Sequence, residues 1–283
     1  MKDYIALTKP RVTWLIVMST AVGYYFGLSG SLDVLTLLHT LLGTGLLASG
    51  TFTLNQWLER GADAKMRRTK SRPLPAGRIR PVRAFWFGVA LSLAGFLELG
   101  LGANWLAGFL GAGTLLAYLL LYTPLKRRSS HSTSVGAAPG AMPPVIGFAG
   151  ACGALTAEAW LLFGILLLWQ FPHFYSIAWL YRDDYARAGI RMLPVVEPDG
   201  RSTARHILIA SLLLIPVSLL PVAFSMAARW YMIAALLLGL GFLRAGWRLA
   251  SDRTPARARA VLMASVVYLP LLYGFLLLAR PGR

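Results

Sequence analysis

An all-α, polytopic membrane protein with about nine transmembrane helices is what this sequence predicts, on three observations. Of its 283 residues, 57% are hydrophobic and 14% charged, and the mean hydropathy is +0.60, too apolar for an ordinary soluble domain. The apolar residues come in unbroken runs about as long as the roughly 20 residues that cross a bilayer core. The basic residues fall between those runs, nearly all on one side of the expected membrane.

In chain order the expected spans are about 12–29, 34–57, 83–101, 104–122, 134–151, 157–180, 206–225, 228–246 and 260–279. The fifth, with Pro139, Pro143 and Pro144, and the eighth, with a short Arg-free stretch, are the least regular. No stretch between spans is long enough to stand alone, so residues 1–283 read as one integral-membrane domain. With the N-terminus inside, all 28 Lys and Arg except Arg229, Arg280 and Arg283 are cytoplasmic, and the C-terminus is extracytoplasmic. Dropping one span would put a basic loop on the wrong side.

This asymmetry also explains the net charge of +17. Nucleic-acid binding needs a solvated basic face rather than short loops between apolar runs, so no nucleic-acid partner is expected. Cys152, the single cysteine, excludes an internal disulfide and cannot alone build a thiolate metal site. The opening MKDYIALTKPR enters the first span without a small-residue cleavage site or an Arg- and Ser-rich presequence. It is expected to be retained, in a bacterial inner membrane.

Polar chemistry gathers at the cytoplasmic ends of the second and sixth spans. Asn55, Glu59 and Asp63 are spaced i, i+4 and i+8. On a continuous helix, successive members rotate by about 40° and climb about 6 Å, lining one face. Gly61 is where that helix would break. Two carboxylates and an amide suit a hard cation such as Mg2+, which takes a few carboxylates plus water and phosphate oxygens. Lys65, Arg67, Arg68, Lys70 and Arg72 follow, donors for an anionic partner. The same residues also fit a solvated helix end and a basic loop. Asp33, Glu98 and Glu158, isolated near external ends, are expected to be hydrated or locally paired.

The second cluster, WLYRDDYARAGIRMLPV, covers residues 179–195. Asp183 and Asp184 diverge by about 100° on a helix, so they need not share an ion. Asp184 is the preferred ligand and Asp183 the next, although Arg182 and Arg191 could neutralise both. Carboxylates at membrane depth are costly and usually face a polar cavity, so two clusters on one side predict one shared site.

Between them, Tyr122 and Lys126 form an i,i+4 pair at the inner end of the fourth span, placed to donate to a phosphate or to serve as interfacial aromatic and stop-transfer base. Gly136, Gly140 and the nearby prolines predict a broken, small-residue helix that admits a neighbouring helix or a flat ligand. In the sixth span Pro172 should kink the helix, and Gln170 and His173 are polar within apolar surroundings. His173 reads as an iron ligand, a proton shuttle or a hydrogen-bonded structural residue. The four histidines lack zinc-site spacing.

The opening LTKPR, the Asn55, Glu59 and Asp63 stripe with KMRRTKSRPLPAGRI, and then YTPLKRRS, GAMPPVIG, WQFPHF and YRDDYARAGIRMLPVV follow one another from about residue 4 to 197. In that order they resemble the haem branch of the UbiA-type intramembrane prenyltransferase superfamily. The acidic motifs are common to the superfamily, whereas GAMPP, WQFPHF and DYxxAGIxMLPV point to the haem branch. The resemblance implies helices around a cytoplasm-facing cavity, Mg2+ as cofactor, farnesyl diphosphate as donor and haem B as acceptor substrate.

Carried over residue by residue, it implies a metal site of Asn55, Glu59, Asp63, Asp183 and Asp184, with Glu59 where many relatives carry Asp. It implies catalytic roles for Asn55, Asp63, Asp184, Lys126 and Tyr122. Substrate binding is expected of Arg67, Arg68, Arg72, Lys126, Tyr122, His173, Tyr181 and Arg182. Aromatic faces such as Tyr122, Phe171, Tyr175 or Trp179 suit an allylic cation. The lipid bilayer is the expected setting, with haem A synthase or a terminal oxidase assembly as protein partners. Two other readings use the same features: prenylation of an aromatic or quinone precursor, and an ion-coupled transporter with intramembrane carboxylates.

Overall fold

The structure, a computed structural model, describes residues 1–281; Arg283, expected outside, lies beyond them. Among the described residues the regular structure is all helical. A short α1 (Lys2–Leu7) precedes α2 (Pro10–Gly27), α3 (Val34–Asp63), α4 (Pro81–Gly102) and α5 (Trp105–Leu116). The last passes through a π-helical turn, Ala117–Tyr122, into the single turn α6 (Thr123–Leu125). Then come α7 (Ser132–Gly140), α8 (Pro143–Cys152), α9 (Ala157–Leu180), α10 (Arg182–Arg187), α11 (Leu193–Val196), α12 (Arg201–Ala223), α13 (Tyr231–Ser251) and α14 (Pro255–Leu278).

Each expected span coincides with one of these helices or helix pairs. Eight of them are long and apolar enough to cross a membrane. The first expected span, α2, is not among them, because this 18-residue helix begins with Pro10 and the charged Arg11. Its inward face carries Ser19, Thr20, Gly23 and Gly27, and is built for contact with α8 rather than with lipid. A Cβ on Gly23 would overlap the Pro144 carbonyl, and one on Gly147 the Thr20 carbonyl. Backbone against backbone is how helices associate where no hydrophobic force separates side chains from solvent.

The prolines act as expected in the fifth span, which is divided into α7 and α8 at Ala141–Met142, just before Pro143. Pro172 lies within α9, whose helical assignment continues through it to Leu180. The largest core lies where α9, α12, α13 and α14 meet, around Leu162, Ile165, Ile207, Leu214, Tyr231 and Leu272, all fully buried. Trp14, Trp86, Leu101, Leu237, Trp247 and Leu278 point outward, as lipid-facing positions should. With its apolar residues on both surfaces, the bundle leaves few places for charge in its interior. Those few define the site.

Candidate active site

Helix α3 continues through Gly61 to Asp63, so the register of the stripe is kept. Asn55 and Asp63 are buried and Glu59 is half-buried. Each is held by a residue from another segment. Asn55 Nδ2 donates to Thr123 Oγ1 at 3.1 Å, and Thr123 Oγ1 donates to the Tyr118 carbonyl at 2.9 Å. Lys126 Nζ donates to Glu59 Oε1 at 2.8 Å. An Arg72 guanidinium nitrogen donates to Asp63 Oδ2 at 2.8 Å, and the Thr69 hydroxyl donates to the Asp63 carbonyl. The basic loop therefore folds back over the helix end that precedes it.

The second cluster divides its two acids. Asp184 is buried, and its carboxylate oxygens accept the backbone N–H groups of Arg67 at 3.1 Å and Arg68 at 3.2 Å, with Arg187 as its ion-pair partner. Asp183 points to solvent, 88% exposed, 3.9 Å from Arg182. Arg68 clasps the two loops together. Its guanidinium donates to the Tyr185 hydroxyl at 2.7 Å and lies 4.9 Å from the Tyr181 ring centre. Arg182 stacks on Trp179, and the Arg67 side chain is exposed. The Arg191 N–H donates to the Lys126 carbonyl at 2.8 Å, which ties in the loop after α6.

Beneath these charges is a pocket walled by Tyr118, Tyr122, Gly136, Gly140, Gln170 and Phe174. The Tyr118 and Tyr122 rings meet edge to face at 4.9 Å, and Lys126 Nζ sits 4.4 Å from the Tyr122 centroid. The π-helical turn aims both rings, a common place for such a turn to be kept. Gly136 leaves room for Tyr122, and Gly140 for the Gln170 amide. The Gln170 Nε2 in turn donates to the Ala137 carbonyl at 3.0 Å.

Among expected aromatic faces, Tyr175 and Trp179 are packed in the α9–α12 core, and Phe171 stacks on Tyr175. Tyr118 escaped the sequence reading, although Tyr118, Tyr122 and Lys126 repeat the i, i+4, i+8 spacing of the α3 stripe. His173 faces α14, where its Nδ1 lies 2.8 Å from Ser265 Oγ. The Ser265 hydroxyl also lies 2.6 Å from the Leu262 carbonyl; with its proton given there, Nδ1 would carry the imidazole proton and leave the Nε2 lone pair free.

Lys126 is held well above the ordinary lysine pKa: burial alone would lower it, but Glu59 and the Tyr122 and Tyr118 hydroxyls outweigh that. Among the described residues no three His, Cys, Asp or Glu side chains converge to form a complete metal cage. The donors present are hard oxygens on one buried face, each carboxylate already matched by a cation that an anion can draw away. That set fits Mg2+ bound together with phosphate oxygens, the way this ion is usually held.

A pocket among membrane-spanning helices, ending in charge where the loops after α3, α6 and α9 meet, can take a lipid chain with its anionic head outermost; the class this defines is an integral-membrane enzyme acting on an isoprenoid-like lipid. Comparison with known proteins makes the class specific. The chain belongs to the UbiA prenyltransferase family, which matches residues 16–269. It is 63% identical to a protoheme IX farnesyltransferase of Solibacter usitatus, over 100% of both chains. It is 48% identical to one of Koribacter versatilis, over 99% of this chain and 94% of the relative. A structure described for digeranylgeranylglyceryl phosphate synthase in membranes superposes with a TM-score of 0.82 at 18% identity, over 99% and 98% of the two chains. A UbiA homologue from Archaeoglobus fulgidus bound to DMAPP and Mg2+ gives 0.67 at 16% identity, over 97% and 99%.

Proposed function

We propose that the protein transfers the farnesyl group of farnesyl diphosphate to a vinyl group of haem B, making haem O. The C–O bond from farnesyl C1 to the diphosphate breaks, the vinyl carbon bonds to C1, and water adds to the resulting cation with loss of a proton. The products are a hydroxyethylfarnesyl haem and diphosphate. The observation that carries this reading is the pairing of Glu59 with Lys126 and Asp63 with Arg72 over the tyrosine-walled pocket. Full-length similarity to protoheme IX farnesyltransferases supports the choice of acceptor.

Asn55, Glu59 and Asp63 would hold Mg2+ with the diphosphate, where the ion supplies positive charge to the departing group. Lys126 and Arg72 exchange carboxylate for phosphate oxygens and stabilise the charge that develops as the bond breaks. Tyr118 and Tyr122 present ring faces to the allylic cation. Asp184, with Arg68, holds the basic loop over the pocket and keeps water from it. His173 Nε2 is the group we assign to contact with haem. The cytoplasmic loops carry the charge and the N-terminus in a bacterial inner membrane, and haem A synthase or a terminal oxidase would receive the product.

Purified protein given haem B, farnesyl diphosphate and Mg2+ should yield haem O by mass spectrometry of the extracted porphyrin. Competing 4-hydroxybenzoate should remain unmodified. Prenylation of the benzoate with unmodified haem would replace this reading by the aromatic one.

A further inference from the structure

Lys9 occupies a backbone conformation that L-residues avoid, with φ 48° and ψ 62°, directly before Pro10. The left-handed region is costly for any side chain with a Cβ, and the following proline restricts the residue further. Such a conformation persists only where its surroundings over-determine it. Here the buried Gln56 amide donates to the Leu7 carbonyl at 2.7 Å, and the Thr13 hydroxyl donates to the Thr8 carbonyl at 2.7 Å. Leu7 is fully buried against Leu74, Ile79 and Ala84. The corner is built to turn one side chain inward.

That side chain ends 4.8 Å from the Phe52 ring centre, and Phe52 is edge-on to Tyr118 at 6.3 Å. The ammonium thus stands at the end of the aromatic wall whose other end is capped by Lys126. The two cations paired to the α3 stripe already have carboxylate partners, Lys126 with Glu59 and Arg72 with Asp63. Lys9 has no carboxylate partner among the described residues. Burial, and then Arg72 and Lys126, lower its pKa to about 7 against the pull of Glu59 and Asp63. The resting protein holds a cation that it stabilises poorly.

We infer that Lys9 is a substrate-binding residue for the diphosphate, a half-buried cation at the aromatic wall that meets the anion without first giving up a carboxylate. The inference rests on the site taking a diphosphate, as proposed above. Lys9 then supplies first contact, and the Lys126 and Arg72 pairs exchange partners afterwards.

The test uses the full chain in detergent, with inorganic pyrophosphate and Mg2+ as the probe, followed by calorimetry and thermal unfolding at pH 7. Lys9→Met should weaken pyrophosphate binding at least tenfold and melt no lower than the native protein, since an unpaired charge is removed. Lys9→Arg should bind within about threefold of native, which a purely structural corner would not require. Unchanged binding by Lys9→Met would overturn the inference, as would joint loss of binding and stability in both variants. A native protein that binds pyrophosphate through Lys9 yet leaves haem unmodified would refute the farnesyl-transfer reading and leave this one standing.

Discussion

Lys126 and Glu59 neutralise each other across 2.8 Å, one from the turn after α6 and the other from the middle of the α3 stripe. Neither is free to bind ligand until the other is satisfied elsewhere, so metal and diphosphate are expected to enter together. Lys126→Met should lower kcat by about 10²- to 10³-fold, as loss of a single charge-stabilising donor does. It should also cost about 3–5 kcal/mol in stability by stranding the carboxylate. Adding Glu59→Gln should restore the melting temperature and leave activity absent. Because the folded-state pKa of Lys126 lies above the ordinary 10.5, its contribution to stability is complete below that pH and lost as pH rises through the folded value. Alkaline unfolding of native protein and Lys126→Met should therefore converge.

Asp184 and Asp183 are adjacent, and they should behave differently. Asp184→Asn loosens the cap on the Arg67 and Arg68 amides, at about 1–3 kcal/mol of local stability. Limited trypsin digestion should then cut after Arg67 or Arg68, and turnover should fall with it. Asp183→Asn changes an exposed side chain and should leave melting within about 0.5 kcal/mol of native. Equal loss of turnover in both would make Asp183 a metal ligand alongside Asp184.

Two glycines give opposite expectations. A Cβ on Gly136 would press on the Tyr122 ring, so Gly136→Ala should move that ring off Lys126 and cost about 1–3 kcal/mol with a sharp drop in kcat. Gly61 has open space around it on an exposed stretch of α3. Gly61→Ala should stabilise by about 0.5–1 kcal/mol and keep its activity. Parallel thermal melts and rates check both.

His173 should be read spectroscopically. Titrating ferric haem B into the protein should shift the Soret band if Nε2 ligates iron, and His173→Ala should abolish the shift. Ser265→Ala releases the tautomer that keeps Nε2 unprotonated and should weaken binding by a smaller factor. Identical spectra for native and His173→Ala would make the residue a packing element against α14.

The spans and the α3 stripe were legible in the residues because each obeys a simple local period: about 20 apolar residues per crossing and four residues per ligand. Tyr122 with Lys126 was legible for the same reason. Asp184 was legible as an acid of the site but not as the acceptor of two amides, since that role depends on a loop more than a hundred positions away. Lys9 looked like one more charge in a positive-inside count, and only the left-handed turn before Pro10 distinguishes it. Tyr118 lay inside an apolar run, where a hydroxyl is easily taken for a belt residue. Side-chain partnerships of this kind are tertiary facts, and composition carries no trace of them.

The π-helical turn at Ala117–Tyr122 amounts to one residue slipped into an otherwise continuous α-helix. Excising a single residue there would let the helix close normally, and everything beyond would swing by about 100°. Thr123 and Lys126 would then leave Asn55 and Glu59 while the membrane crossing itself survived. Within this stretch, length drift is far more damaging than substitution, and a shortened homologue would keep its fold while losing its chemistry.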